Sequence, residues 1–443
     1  MSLDVLYNKK YTQIFIFFYF AEGLSQGVPY LFWRTYILDL LGDIDLVLWL
    51  IVYSIGMLPW TIKMIVGVFT DKWGSKKYGR RFPWVVSFGT FGGISWILMT
   101  FYLPVSNIYL WLAIYYFTTQ LGMAFADSAL DGMILDVTPK EKLSRVQGYT
   151  WTLMFVGYGA GGMILGLIFL IFDIVPVLFL ITGLLNIIAS FLTFYVKEPP
   201  LENISTKEWG KDLLSVVTKK RNWKVYLYTF LAGIQAVVII DFLMYVVLVS
   251  MGVLSVSQTI LSLSGGGDVV EAQIWFTIFY LANGIGIFIG SPIAGKFGDK
   301  NRRNTSFLIF KIYIPFLLIL IVPFIFNLGF TLALILGLIF LLIQGGIQNG
   351  FTVINQTIRG DLAKKYYPNL KSTFFALLVS LVNLGQNIGT LIGAAILAFL
   401  ATLNWNFFLI FFIISVICSL TLSISFLTFK RIPLGDFELD INL

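Results

Sequence analysis

The stretch Gly67–Lys72, GVFTDK, returns 228 residues later as Gly295–Lys300, GKFGDK. Each copy closes a long apolar run, and each is followed by basic residues. Lys76, Lys77, Arg80 and Arg81 follow the first copy, and Arg302 and Arg303 the second. The same offset carries Gly56 onto Gly284, Gly157 onto Gly385 and Gly161 onto Gly389. One constant offset over positions this far apart argues for an internal duplication.

Working outward from the repeat, the chain divides into apolar runs of about 20 residues or more, long enough to span a bilayer as helices. They are Tyr11–Leu38, Asp45–Thr70, Phe82–Leu103, Ile108–Asp136, Val146–Ile171, Ile174–Val196, Trp223–Met251, Glu271–Ala294, Thr305–Phe326, Phe330–Ile358, Ser372–Ala401 and Trp405–Thr428. Helices are the reasonable assignment, because lipid offers backbone groups no hydrogen-bond partner. The split at Phe172-Asp173 requires a very short turn. The sequence therefore predicts an all-α membrane protein of twelve transmembrane helices in two six-helix pseudo-symmetric bundles. Residues 1–196 and 223–443 form the bundles, with a linker at 197–222.

The basic residues orient the spans. Lys and Arg cluster before the first run, after every second run and in the central segment, whereas the alternate connections hold Asp39, Asp43, Asp45, Asp173 and Asp268. Positively charged connections stay cytoplasmic, so both termini are expected there. The first run lacks a small-residue cleavage site, so no cleaved signal is expected. In the linker, Pro199-Pro200 breaks the preceding helix. Glu208–Thr218 reads as an amphipathic helix with Trp209, Leu213, Leu214 and Val217 on one side, lying on the membrane surface. Ser262–Asp268, with three glycines, reads as an outer loop.

Composition excludes several functions. The chain has 443 residues, of which 58% are hydrophobic and 12% charged, far from the balance of a soluble domain. Its formal net charge of +7 does not mark a nucleic-acid surface, because the basic residues sit in short connections between apolar runs. There is no His, and the one Cys, Cys418, is inside an apolar run. That removes disulfides, His-ligated metals, haem, and Ser/His/Asp or Cys/His nucleophiles. No Walker A pattern appears, so ATP is not the direct drive. No enzyme activity, cofactor or metal is expected.

Charges inside the apolar runs are expensive, about 2.5–3.5 kcal/mol each at the bilayer centre, and so are functional candidates. Glu22 is roughly 16 Å along the first span, and Asp127 roughly 13 Å from Asp136. Asp127 and Asp131 are four residues apart and share a helix face. Asp241 is deep in the seventh span. Lys63, roughly 12 Å from Asp71, needs a counter-charge, and either Asp127 or Asp131 is at a suitable depth. A buried pair of this kind can be structural, setting helix register, or can open to bind an anionic group or exchange a proton. Two carboxylates on one face favour proton uptake, the requirement for proton coupling.

Arg34 is an interfacial anchor or a substrate ligand, and Lys311 can snorkel to the membrane edge. Gln344, Gln348 and Asn355 form an uncharged polar stripe, extended by Asn383, Gln386 and Asn387, suited to interhelical hydrogen bonds. Most aromatics are expected to face lipid or the interfaces. Tyr30, Trp33, Tyr149 and Tyr158 are candidate cavity residues.

The repeat has a mechanism of its own. Gly67 and Gly295 permit close helix approach. Asp71 and Asp299 can accept from the free N–H groups of another helix's N-terminus, and the fifth and eleventh spans begin on the same side. Together with Lys72, Arg80, Arg81 and Lys300 they read as a gating motif.

Gly67–Arg81, GVFTDKWGSKKYGRR, resembles the loop signature of the major facilitator superfamily, with Ser75–Tyr78 inserted before Gly79-Arg80-Arg81. Glu22–Pro29, Pro59–Lys63, Asp127–Gly132, Gly148-Tyr149 and Gly157–Gly161 are similar to the branch holding muropeptide permeases, acetyl-CoA transporters and folate–biopterin transporters. Gly79–Trp84, GRRFPW, is also similar to the sugar–cation symporters. The resemblance implies alternating access between two halves, a cavity lined by the first, fourth, seventh and tenth spans, and a small-molecule substrate. It raises Gln348 and Asn355 as ligands. The expected protein is a monomeric, multi-pass secondary transporter of the cell membrane, proton-coupled, for an amphipathic or anionic solute such as a muropeptide, pterin or acyl-CoA. A sugar–cation symporter is the alternative, and a non-transporting assembly factor or receptor on the same fold is the rival from another class.

Overall fold

The computed structural model describes residues 7–41, 46–75, 77–199, 206–235, 238–253, 267–326, 328–402 and 406–433. Among them the only pairing of extended backbone is an isolated bridge, Ser75 with Gly79, and everything else regular is helical. The helices are α1 (Lys9–Gly27), α2 (Trp33–Leu41), α3 (Leu46–Ile62), α4 (Met64–Lys72), α5 (Phe82–Phe101), α6 (Ile108–Val137), α7 (Lys140–Gly159), α8 (Gly166–Ile171), α9 (Val175–Leu192) and α10 (Thr206–Thr218). They continue with α11 (Lys220–Gly233), α12 (Val238–Ser250), α13 (Gly267–Lys300), α14 (Arg302–Ile319), α15 (Gly329–Tyr366), α16 (Lys371–Thr402) and α17 (Phe407–Phe429). Eight stretches among the described residues are long and apolar enough to cross a membrane.

Several expected spans are interrupted, two of them beside a proline. The first is broken by a π turn at Val28–Phe32. Pro29 has no N–H to give the Ser25 carbonyl four residues back, and Gln120 Nε2 donates to that carbonyl instead, at 3.0 Å. The second is divided at Lys63, four residues after Pro59. The fifth contains a π turn at Ala160–Leu165 within its glycine cluster. The seventh is divided between α11 and α12. The turn at Phe172-Asp173 is present, with Asp173 at φ 53, a left-handed conformation that Asp tolerates better than most residues. Of the expected outer loop Ser262–Asp268, residues 262–266 lie outside the described residues. Gly267 and Asp268 instead open α13.

Two compact units result. The first holds the described residues to Lys219 together with Gln356–Ser380, and the second holds Lys220–Asn355 and the described residues from Leu381. The segment Gln356–Ser380 thus clusters with the first half rather than the second. In the first unit α1 packs on α7, α5 on α6 and α9, and α3 on α6. In the second, α17 packs on α11 and α14.

The duplicated glycines show why these helices meet where they do. A Cβ on Gly157 would stand 2.1 Å from the Phe20 carbonyl oxygen, and one on Gly385 2.2 Å from that of Phe230. A Cβ on Gly161 would meet Leu24, and one on Gly389 the Ile234 carbonyl oxygen at 2.0 Å. Both units therefore use the Gly157/Gly385 position for close backbone approach, as membrane helices do through small residues, whereas Gly161 abuts mainly the Leu24 side chain. The third pair differs: Gly56 abuts the Tyr116 ring, whereas Gly284 faces open space.

Candidate functional site

The interruption at Lys63 places an ammonium inside the first unit. The residue is 2% exposed, and its Nζ is 2.5 Å from Asp127 Oδ2 and 3.8 Å from Asp131 Oδ2. It also lies over the Trp60 ring, 5.2 Å from the centroid. The Lys63 carbonyl accepts from the Val66 N–H and from Ser128 Oγ, so α6 holds both ends of the residue. Both carboxylates are buried, as their spacing on one face of α6 requires.

Helix α1 completes the cluster. Tyr19 Oη donates to Asp131 Oδ1 at 2.7 Å. Glu22, three residues on and 2% exposed, sits beside Asp127 with Lys63 and Asp131 in electrostatic reach. Gln26 Nε2 donates to Glu22 Oε1 at 3.0 Å, while Glu22 Oε2 is buried with no donor among the described residues. Three carboxylates thus share one ammonium, an excess of negative charge that burial penalises strongly. Proton uptake at any of the three would reduce it.

Around this centre Trp60 Nε1 donates to Gln120 Oε1 at 2.9 Å, and Trp96 Nε1 to Ser25 Oγ at 2.8 Å. Tyr30 packs with Tyr53 and Tyr158, each ring pair 5.6 Å apart. Tyr149 is exposed. Trp33, expected at a cavity, is instead fully buried in the core against Trp96 and Tyr116. The side chains of Arg34 and Asp241 lie outside the described residues, and Lys311 is exposed.

The second unit holds a cluster of uncharged groups. Tyr313 Oη donates to Gln235 Oε1 at 2.5 Å, and Gln344 Nε2 donates to Tyr313 Oη and Gln348 Oε1 at 2.9 Å each. Asn355 does not join it: its Nδ2 bonds the Phe351 carbonyl of its own helix, and Oδ1 is buried with no donor among the described residues.

The first copy of the repeat forms a dense charged junction. Asp71, buried at the end of α4, accepts from the Thr373 N–H at 2.7 Å and Thr373 Oγ1 at 2.8 Å, in the first turn of α16. Gly67 makes this possible, since a Cβ there would stand 2.8 Å from Thr373 Cα. Arg81 is fully buried and reaches Asp71 at 2.6 Å, Asp136 at 3.1 Å and Thr70 at 2.8 Å. Burial opposes its charge, but Asp71 and Asp136 outweigh burial and hold its pKa above the ordinary arginine value. Arg80 Nη2 and Lys371 Nζ also bond Asp136, at 3.0 and 2.7 Å. Lys72 turns away to the Trp209 ring of α10. In the second copy Gly295 and Asp299 are buried on α13, and Lys300 is exposed at its end.

Sequence reasoning missed four participants here: Tyr19, Asp136, Lys371 and Glu198. Glu198 accepts from the backbone N–H groups of Arg80, Arg81 and Phe82 at 2.7–2.8 Å, capping α5 from 116 residues beyond Phe82. Burial raises its pKa, against the pull of those amides. The signal available was that α5 has no Ser, Thr, Asp or Asn before Phe82, so its free N–H groups needed a distant acceptor.

Comparison with known proteins agrees with this architecture. A family profile of the Major Facilitator Superfamily matches residues 15–267. A 146-residue stretch is 31% identical to "Probable folate-biopterin transporter 4" of Arabidopsis thaliana, covering 30% of this chain and 29% of that protein. The fold resembles a crystal structure of the E. coli fucose:proton symporter, with TM-score 0.65 and 12% identity over 96% of this chain and 99% of the other. It equally resembles a bacterial homologue of the iron transporter ferroportin, with TM-score 0.65 and 15% identity over 95% and 99%. The chain belongs to the major facilitator superfamily, and is a multi-pass membrane protein.

Proposed function

We propose that this chain is a proton-coupled secondary transporter in which Glu22, Asp127 or Asp131 accepts the driving proton and Lys63 carries their counter-charge. The observation that carries the reading is the imbalance of three buried carboxylates against one ammonium, with Glu22 Oε2 lacking a donor among the described residues. When a carboxylate takes a proton, the grip on Lys63 weakens, and the ammonium becomes available to an anionic substrate group. The full architecture we propose is twelve spans with both termini cytoplasmic, working as a monomer in the cell membrane by alternating access. The junction at Asp71 and Arg81 acts as a gate in that cycle.

For the substrate we propose a pterin or folate-like solute, ahead of a muropeptide or an acyl-CoA. The match to a protein named as a folate-biopterin transporter supports this order. So does the chemistry: the Tyr30, Tyr53 and Tyr158 rings suit a flat heteroaromatic, and Lys63 suits a carboxylate. A thermal-shift screen of the purified protein against pterins, folates, muropeptides, CoA esters and sugars tests the assignment. Stabilisation by pterins or folates is expected, and stabilisation by sugars alone would overturn it.

A further inference from the structure

Helix α10 has two unlike faces. Its inner face is gripped by the first unit: Val216 is 3% exposed, and Trp209 meets Trp73 at 6.3 Å and lies under the Lys72 ammonium. Tyr367 Oη donates to the Ser215 carbonyl at 2.8 Å, and Asn369 Nδ2 reaches Asp212 at 3.5 Å. The helix therefore touches the residues just after Asp71 and those just before Thr373, the two ends of the Asp71–Thr373 contact. At roughly 100° per residue, Lys207, Lys211 and Leu214 share the opposite face. Leu214 is 66% exposed and neighbouring Val217 60%. Over 206–221 five basic residues outnumber Glu208 and Asp212.

We propose that the outer face of α10 seats on an anionic bilayer surface, and that this seating holds the Asp71–Thr373 contact closed. Charge and apolarity together select this occupant. Exposed lysines flanking a protruding Leu are the pattern of an interfacial helix, with the ammoniums at the lipid phosphates and the alkyl groups below them. The same end of the unit carries more of this chemistry. Lys9, Lys10 and Lys197 line a groove with Tyr7, Phe17 and Tyr195, and Lys197 precedes the Glu198 that caps α5 beside Arg81. The inference rests on the chain being a membrane transporter, but not on its substrate, its coupling ion or its orientation.

The test uses full-length protein with a spin label attached through Leu214→Cys. Cys418 is buried, so the label reports one position. In nanodiscs of phosphatidylcholine with phosphatidylglycerol, the label is expected to be accessible to oxygen and shielded from a water-soluble nickel complex. In phosphatidylcholine alone it is expected to face water. Lys207→Gln with Lys211→Gln should lower the equilibrium constant for seating about 30-fold, at about 1 kcal/mol per basic residue, and high salt should release the helix. Amide exchange at Ser372 and Thr373 should be slower in the anionic discs, and the double substitution should abolish the difference. Equal accessibility in the two lipids overturns the seating. A helix that instead serves a soluble protein partner gives that result. Seating without any change in amide exchange overturns the link to the contact. Neither readout measures transport, so failure here is distinguishable from failure of the proposed function.

Discussion

Removing the Lys63 ammonium strands the carboxylates that surround it. Lys63→Met keeps most of the unbranched side chain, but removes the ammonium from over the Trp60 ring and leaves Asp127, Asp131 and Glu22 without a counter-charge. Breaking a buried pair from one side costs about 3–5 kcal/mol, because the remaining charge is uncompensated. At about 2 °C per kcal/mol, appropriate to a unit of this size, the melting temperature should fall by about 6–10 °C. Asp127→Asn alone leaves Lys63 with Asp131 at 3.8 Å and Glu22 in reach, so its cost should be smaller. The double variant removes the 2.5 Å pair from both sides, and should be more stable than the sum of the singles by about 2–3 kcal/mol. Thermal unfolding of the detergent-purified wild type, singles and double completes the cycle. Strictly additive losses would refute the claim that the two residues are coupled.

Three further outcomes follow from named contacts. Gly157→Ala and Gly385→Ala should each destabilise by about 1–3 kcal/mol through overpacking at equivalent repeat positions, read as lowered melting temperatures; tolerance of either would show that its helix pair can separate freely. Glu198→Ala removes the acceptor for three amides and should cost about 2 kcal/mol, whereas Glu198→Gln, which keeps an acceptor oxygen, should lose less than half of that in the same assay. Tyr19→Phe deletes the 2.7 Å bond to Asp131 and should cost about 1.5–3 kcal/mol, and an unchanged melt would show the bond contributes nothing net.

What could be read from the sequence, and what could not, divides by the distance over which information acts. Helical character was legible because apolar runs of spanning length leave the backbone no other arrangement. The need of Lys63 for a carboxylate was legible because a buried ammonium is untenable alone, but the choice between Asp127 and Asp131 was not. That choice depends on the break at Lys63, which sets where Nζ points. The breaks near Pro29 and Pro59 were not foreseen, and the donor that compensates the Pro29 break, Gln120, lies on another element. Tyr19 was overlooked because a tyrosine in an aromatic-rich span carries no charge signal. Asp136 and Lys371 carry no spacing signal that links them. Only the fold brings them, 235 residues apart, to 2.7 Å. The amphipathic reading of α10 grouped Trp209 with Leu214 and Val217, whereas the structure packs Trp209 inward and leaves the other two outside.

The central claim is that the carboxylate cluster couples solute movement to protons. Its most direct measurement is proton movement in proteoliposomes reporting internal pH, on addition of a pterin or folate without any imposed gradient. The account predicts that wild-type protein acidifies the lumen as solute enters, and that a protonophore abolishes uphill uptake. Asp127→Asn should exchange labelled for unlabelled solute while moving no protons. Solute entry with no pH change, or uptake indifferent to an imposed proton gradient, would contradict it.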